Sequence, residues 1–260
     1  MKQNIKAVCF DLDDTLCAYW DASRKALWQA LDEAELGVDP QRAFDAWKSV
    51  FQTFSKEVKT DRWYERYLVS GEPTRTEHLR RTLRLLDRED ERLAKSIAAR
   101  YAELRNEYLE LFPEAKQTLQ QLKGRYCMCL ITNGPADIQR QEVETLGIKG
   151  FFDHILIEGE MKLGKPDAAI FEAARTGCGY EAHEMLFVGN AFEQDVQGAK
   201  NAGWHALWLN RVDTQNPGTY PQPDAEITHL FEVCDWLGIE RPPGPEPPLP
   251  PKHAADNWRR

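Results

Sequence analysis

Short runs of consecutive apolar residues alternate, over the second half of the chain, with stretches in which apolar residues recur every three or four positions. The runs predict buried strands over residues 5–10, 126–131, 154–157, 185–188 and 205–209. The periodic stretches predict helices over 115–123, 137–146, 167–176, 192–202 and 227–237. Pro113 and Pro166 suit first helical turns, and Gly147 and Gly203 suit helix ends. Apolar strands alternating with helices imply a parallel sheet covered on both faces, joined by right-handed crossovers.

Residues 20–111 break this alternation. Their apolar positions keep a helical period throughout, as in Ala26-Leu27-Ala30-Leu31, Trp47-Val50-Phe51-Phe54, Leu79-Leu83-Leu86 and Ile97-Tyr101-Leu104-Tyr108. No strand is predicted there. Trp28, Trp47, Trp63 and Tyr67 fall on apolar stripes and are expected to form this block's core. Arg75, Arg80, Arg81, Arg84, Arg88, Arg92, Arg100 and Arg105 are interspersed with acidic residues, which predicts a solvated, salt-bridged helix face. The expected architecture is α/β: a Rossmann-like parallel-sheet core over 1–18 and 112–240, interrupted by an all-helical cap over 19–111. Residues 241–260 follow as a tail, and seven of the fifteen prolines fall in 242–251, which predicts polyproline-like structure without a core.

With 260 residues and a net charge of −9, the chain lacks the positive excess that sequence-independent nucleic-acid binding requires. No apolar stretch approaches the ~20 residues of a membrane span, and the first ten residues do not read as a signal peptide. Six scattered cysteines, Cys9, Cys17, Cys127, Cys129, Cys178 and Cys234, predict reduced thiols in a cytoplasmic protein. Cys127 and Cys129 alternate along one strand and are expected to lie in the buried core rather than at a metal site. The six histidines show no paired metal-ligand spacing.

The candidate chemistry lies where the predicted strands end. Asp11-Leu12-Asp13-Asp14-Thr15 follows the first strand. In an open parallel sheet, ligands bind at the carboxyl ends of strands near a topological switch point. One carboxylate there can attack phosphorus, and the other can protonate the leaving oxygen. A hard cation such as Mg²⁺ would offset their combined charge. Thr132-Asn133-Gly134 ends another strand and suits phosphate oxygens. Lys165, ahead of Pro166-Asp167, can neutralise phosphate and attacking carboxylate. Gly189-Asn190 with Asp195 offers oxygen ligands, or groups supporting them. Taken singly, each group also suits a turn, a helix cap or a surface position. Their order along successive strand ends is the stronger signal. Asp14 reads as structural, and Thr15 as organising the loop.

These four motifs resemble those of the haloacid dehalogenase superfamily, in particular its phosphatases with a helical cap inserted after the first motif. The resemblance covers roughly residues 4–236. It implies Mg²⁺-dependent hydrolysis of phosphate monoesters, with Asp11 as nucleophile and metal ligand. Asp13 would be the general acid and base, its backbone carbonyl also binding metal. Thr132 and the Asn133 backbone would hold the phosphate, Lys165 would stabilise nucleophile and phosphoryl group, and Asn190 with Asp195 would complete the metal site. Asn190 departs from the acidic residue usual there, which implies weaker Mg²⁺ binding. The dehalogenases of the superfamily lack an acid at the position of Asp13, which argues against 2-haloacid dehalogenation. A binding protein that kept the fold without turnover is the third reading.

The cap is expected to close over the strand ends. Tyr19 and Trp20, beyond Cys17, serve either the pocket entrance or hinge packing. A small phosphorylated metabolite is the expected partner, whether sugar phosphate, phosphoglycolate or nucleoside monophosphate. Homo-oligomerisation and contacts through the tail stay open.

Overall fold

The computed structural model describes residues 4–244, the Asp61 side chain excepted. Most of the proline-rich tail, residues 245–260, lies outside the described residues. Strand β1 (Ala7–Phe10) is followed by five helices in succession: α1 (Tyr19–Glu33), α2 (Pro40–Val58), α3 (Asp61–Val69), α4 (Glu72–Leu85) and α5 (Glu91–Tyr108). The alternating half then runs α6 (Ala115–Leu122), β2 (Cys127–Thr132), α7 (Ala136–Thr145), β3 (His154–Ile157), α8 (Glu158–Met161), α9 (Ala168–Cys178), β4 (Met185–Gly189), α10 (Gly198–Asn201), β5 (His205–Leu209), β6 (Ala225–Ile227) and α11 (Phe231–Leu237).

The six strands form one sheet in the order β3-β2-β1-β4-β5-β6, and every pairing is parallel. This is the expected α/β, Rossmann-like arrangement. The strand order reverses beside β1, so the switch-point crevice opens between β1 and β4. Successive side chains of the central strands enter opposite layers. Val8, Phe10, Met128, Leu130, Leu186 and Val188 pack into one apolar cluster. Ala7, Cys9, Cys129, Ile131, Met185 and Phe187 pack into the other. Burial on both faces is why these strands read as unbroken apolar runs.

The helical insert has its own core, built from Leu27, Leu31, Trp47, Leu83, Ile97 and Leu104 among others. Asp39 and Asp90 cap α2 and α5 by accepting from the N–H groups of the first turn. The chain enters and leaves the insert through adjacent segments, with Cys17 bridged antiparallel to Leu111. The insert also rests on the sheet domain at several points. Lys59 and the Tyr64 hydroxyl both reach Glu158, at 2.8 and 2.6 Å, and Ser70 donates to Asp137 at 2.7 Å. At Gly159 a Cβ would stand 2.2 Å from the Leu68 carbonyl oxygen, so glycine alone permits the approach of α3 to α8.

Several expectations are corrected. Strand β6 was not anticipated. It is a three-residue edge strand whose Ala-Glu-Ile sequence carries too little pattern to register, and the helix expected from residue 227 starts at Phe231 instead. The segment expected as one helix over 192–202 is a π-helical turn over Phe192–Gln197 leading into α10. Trp28 is 41% exposed and leans on Phe44 instead of entering the core, whereas Trp47 and Trp63 are buried. Among the described residues, no helix is long and apolar enough to cross a membrane.

Candidate active site

The register of the sheet brings the motifs to one level. Phe10 is paired with Leu130 on one side and Val188 on the other. Asp11 lies one residue beyond that level, and Thr132 and Asn190 two, so all three sit at the same end of the sheet. Asp11 is anchored by its own N–H, which donates to the Val188 carbonyl at 3.0 Å.

Both carboxylate oxygens of Asp11 are engaged. Oδ1 lies 2.6 Å from Lys165 Nζ, and Oδ2 accepts from the Thr15 hydroxyl at 2.9 Å. Lys165 is buried and also meets Asp195 Oδ1 at 2.7 Å. Burial opposes its charge, but Asp11 and Asp195 outweigh that cost and raise its pKa above the usual lysine value. The Asn133 side chain clamps the Lys165 backbone from both sides. Its amide donates to the Lys165 carbonyl at 2.7 Å, and its oxygen accepts from the Lys165 N–H at 2.8 Å.

Asp195 is buried, and burial pushes its carboxyl up to about 6. Its second oxygen accepts from the Ala191 N–H at 2.8 Å. Thus one of its oxygens faces the Lys165 ammonium and the other the Ala191 N–H, both inside the protein. It lies so close to the strand end that a Cβ on Gly189 would stand 2.4 Å from Asp195 Oδ2. Asn190 is held by its backbone carbonyl, which accepts from the Trp208 indole at 2.9 Å. Its side-chain oxygen lies 3.4 Å from the Thr15 hydroxyl. Asp14, in left-handed backbone at φ 59°, accepts from the Trp20 N–H at 3.1 Å and fixes the entry to α1.

Asp13 belongs to a network that the sequence did not reveal. The Thr132 hydroxyl donates to Gln139 Oε1 at 2.5 Å. The Gln139 amide donates to Asp13 Oδ2 at 3.1 Å and to Glu142 Oε2 at 2.9 Å. The Glu142 carboxylate lies 3.6 Å from the Arg105 guanidinium. Burial, and then the charge of Asp11, push the Asp13 carboxyl up to about 7, against the pull of Gln139 and Arg105. Burial also raises Glu142 well above the carboxylate range. The available signal was faint: two polar residues three apart on α7, directly after Thr132-Asn133-Gly134, on a face that must meet the core.

A cavity of about 360 Å³ runs from Asp13, Asn133 and Gly134 into the helical insert, where Tyr19, Trp20, Arg75 and Arg105 line it. The arginines of the insert therefore divide. Arg80, Arg81, Arg84 and Arg100 pair with Glu77, Glu57, Glu89 and Glu33, as a salt-bridged face predicts. Arg75 and Arg105 do not belong to that face. Arg105 is 2% exposed. The Nε atoms of both arginines are buried without a hydrogen-bond partner, and burial with the neighbouring charge of Arg105 lowers the pKa of Arg75.

Residues 5–203 match the family model of haloacid dehalogenase-like hydrolases. The chain belongs to this family of hydrolases. It is 27% identical over 243 residues to N-acylneuraminate-9-phosphatase of Mus musculus, covering 88% of this chain and 92% of that one. It is 31% identical over 248 residues to ribulose-1,5-bisphosphate 5-phosphatase of Halopiger xanaduensis, covering 89% and 98%. Among solved structures, the magnesium-bound HAD-hydrolase YfnB of Bacillus subtilis superposes with a TM-score of 0.73 at 19% identity, covering 91% and 100%. A 2-haloacid dehalogenase from Pseudomonas syringae superposes with a TM-score of 0.63 at 28% identity, covering 90% and 98%.

Proposed function

We propose that the chain is a Mg²⁺-dependent phosphatase of small phosphate monoesters whose organic part carries a second anionic group. The observation that carries the reading is the environment of Asp11. Its carboxylate is held by Lys165 and Thr15, two residues from Asp13, an acid that lines the cavity and is held near neutrality. An Asp11 oxygen forms a bond to phosphorus as the ester P–O bond breaks, and the departing alkoxide takes the Asp13 proton. Asp13 then removes a proton from water. The resulting hydroxide attacks the phosphorus of the aspartyl phosphate, releasing phosphate and restoring Asp11. Thr132 and the Asn133 backbone hold the phosphoryl oxygens, and Lys165 balances the charge that builds on them.

The oxygen donors suit a hard cation. Asp11 Oδ2 and Asn190 Oδ1 both converge on the Thr15 hydroxyl, so two such oxygens already face one small region, and the Asp13 backbone carbonyl would be a third donor. Bound Mg²⁺ supplies charge neutralisation for the carboxylate and the phosphoryl oxygens. With Asn190 neutral and Asp195 held by Lys165, the protein brings little anionic charge to the cation beyond Asp11, so binding is expected to be weak. The helical insert acts as the cap over this site.

Arg75 and Arg105 favour the second anion. Arg105 already meets Glu142, but Arg75 is partly stripped of water beside it with its Nε unpartnered, which is costly unless a further counter-charge arrives, and a guanidinium fork matches a carboxylate or phosphate. The named substrates of the mouse and Halopiger relatives, an acylneuraminate 9-phosphate and a bisphosphate, each carry such a group. Turnover of p-nitrophenyl phosphate tests the reaction. Activity should require Mg²⁺, disappear with EDTA and vanish in Asp11→Asn, and a rate that survives both treatments would overturn the assignment. The Pseudomonas likeness raises dehalogenation as the second reading, and metal-free chloride release from L-2-chloropropionate would establish it.

A further inference from the structure

At the other end of the sheet, away from Asp11, three residues with soft or borderline ligand atoms meet. We propose that Cys127, His154 and Cys178 form a binding site for a thiophilic divalent cation of the Zn²⁺ class. Their candidate ligand atoms all lie within 4.8 Å of one another, and all three residues are half-buried.

The sheet register explains the meeting. Cys9 of β1 pairs with Cys129 of β2, and Cys129 pairs with His154 of β3. Paired residues in a parallel ladder point to the same face, and Cys127, two residues before Cys129, points there as well. Helix α9 covers this face, with Ile170, Phe171 and Ala174 in the same cluster as Cys9 and Cys129. Its last residue, Cys178, arrives at the amino ends of β2 and β3. The preceding residue is Gly177, where a Cβ would stand 3.3 Å from His154 Nδ1. A glycine there leaves room for the imidazole beside the sulfur. Two cysteines and a histidine from three separate elements thus converge, a donor set suited to Zn²⁺.

Zn–S and Zn–N bonds of about 2.3 and 2.0–2.1 Å imply ligand-to-ligand separations of roughly 3.3–3.8 Å in a tetrahedron. Side-chain adjustments of about 1 Å would close the site. Water would supply the fourth ligand, since none of the three residues is fully buried. Binding replaces the thiol protons of Cys127 and Cys178, which pass to the buffer, so affinity should rise with pH.

The test uses the full chain, reduced, stripped of metal and then saturated with Mg²⁺. Titration with Co²⁺ should give one equivalent of a tetrahedral complex with an intense thiolate-to-cobalt charge-transfer band, a signature that carboxylate ligands around Asp11 cannot produce. Zn²⁺ should abolish the band by displacement and raise the melting temperature. Cys178→Ser and His154→Asn should each weaken binding at least tenfold, while Cys234→Ser should keep it. Far-UV circular dichroism and phosphatase activity verify that the variants fold. Absence of the charge-transfer band in the wild type would overturn the proposal. An unchanged band in Cys178→Ser would do the same, and so would loss of two thiols to a disulfide in air without metal binding under reduction. Activity on p-nitrophenyl phosphate is read separately, so failure here leaves the phosphatase reading standing.

Discussion

Lys165 Nζ lies 2.6 Å from Asp11 Oδ1, although 154 positions separate the two residues in the chain. The same ammonium is 2.7 Å from Asp195, so one buried cation holds two carboxylates in place. Lys165→Met should leave Asp11 and Asp195 facing each other without compensation. We expect kcat to fall by at least about 10²-fold and stability to drop by roughly 3–5 kcal/mol, as when one partner of a buried ion pair is removed. Stopped assays with p-nitrophenyl phosphate and urea unfolding measure the two effects. Near-native values for both would show that the lysine neither orders the site nor acts in it.

Gln139 joins Thr132 to Asp13 and Glu142. Gln139→Leu keeps much of the volume and removes these hydrogen bonds. The Thr132 hydroxyl and the Asp13 carboxyl would then lose their orientation, and kcat should fall roughly 10- to 100-fold, in the range seen for supporting partners of catalytic groups. Steady-state kinetics of a variant with wild-type circular dichroism would decide, and an unaltered kcat would demote Gln139 to packing.

Gly189→Ala probes the approach between the end of β4 and Asp195. The added methyl would stand 2.4 Å from Asp195 Oδ2, so strand or carboxylate must move. A loss of about 1–3 kcal/mol is expected from overpacking, together with reduced activity as Asp195 releases Lys165. Thermal melts and kinetics on the same preparation measure this.

Arg75→Ala should separate substrates by charge. KM for a phosphate monoester with a carboxylate or second phosphate should rise by roughly one to two orders of magnitude, as when a charge-assisted hydrogen bond of about 1.5–3 kcal/mol is lost. Parameters for p-nitrophenyl phosphate should stay near wild type. Equal changes for both substrates would assign Arg75 to cap folding.

His78 gives a pH prediction. Its ring stacks on Trp47 with centroids 4.4 Å apart, and Nε2 donates to the Trp47 carbonyl at 3.0 Å. Burial lowers its pKa to about 4, below the ~6.5 of an unfolded chain. The unfolded state therefore binds more protons between those values. The contribution of His78 is complete above about pH 6.5 and falls by up to about 3 kcal/mol as pH drops to about 4. Asp13 and Asp195, with raised pKa values, change stability in the opposite sense on acidification. The informative quantity is thus the difference between wild type and His78→Phe, whose unfolding free energies should converge as pH falls across this window. Parallel curves would contradict the buried neutral imidazole.

The parts of this protein legible in the sequence are those set by local pattern. Unbroken apolar runs marked β1, β2, β4 and β5 because both faces of a central parallel strand are buried, a shorter run marked the edge strand β3, and helical periodicity marked the insert because its helices turn apolar faces inward. Asp11, Asp13, Thr132, Lys165 and Asn190 were legible as candidates because strand ends are where such a sheet binds ligands. What the tertiary structure decided is everything that depends on which distant side chains share a small volume. Arg75 and Arg105 look in sequence like Arg80 and Arg84, and only the packing of α4 and α5 turns them toward the cavity, away from the glutamates of the insert's outer face. Gln139 and Glu142 acquire meaning only when α7 meets Asp13, and His154 has no ligand partner by spacing until β2, β3 and α9 bring two thiols beside it. Periodicity is a property of neighbours along the chain, whereas desolvation and charge pairing act through space at a few ångströms, so only the folded arrangement sets them.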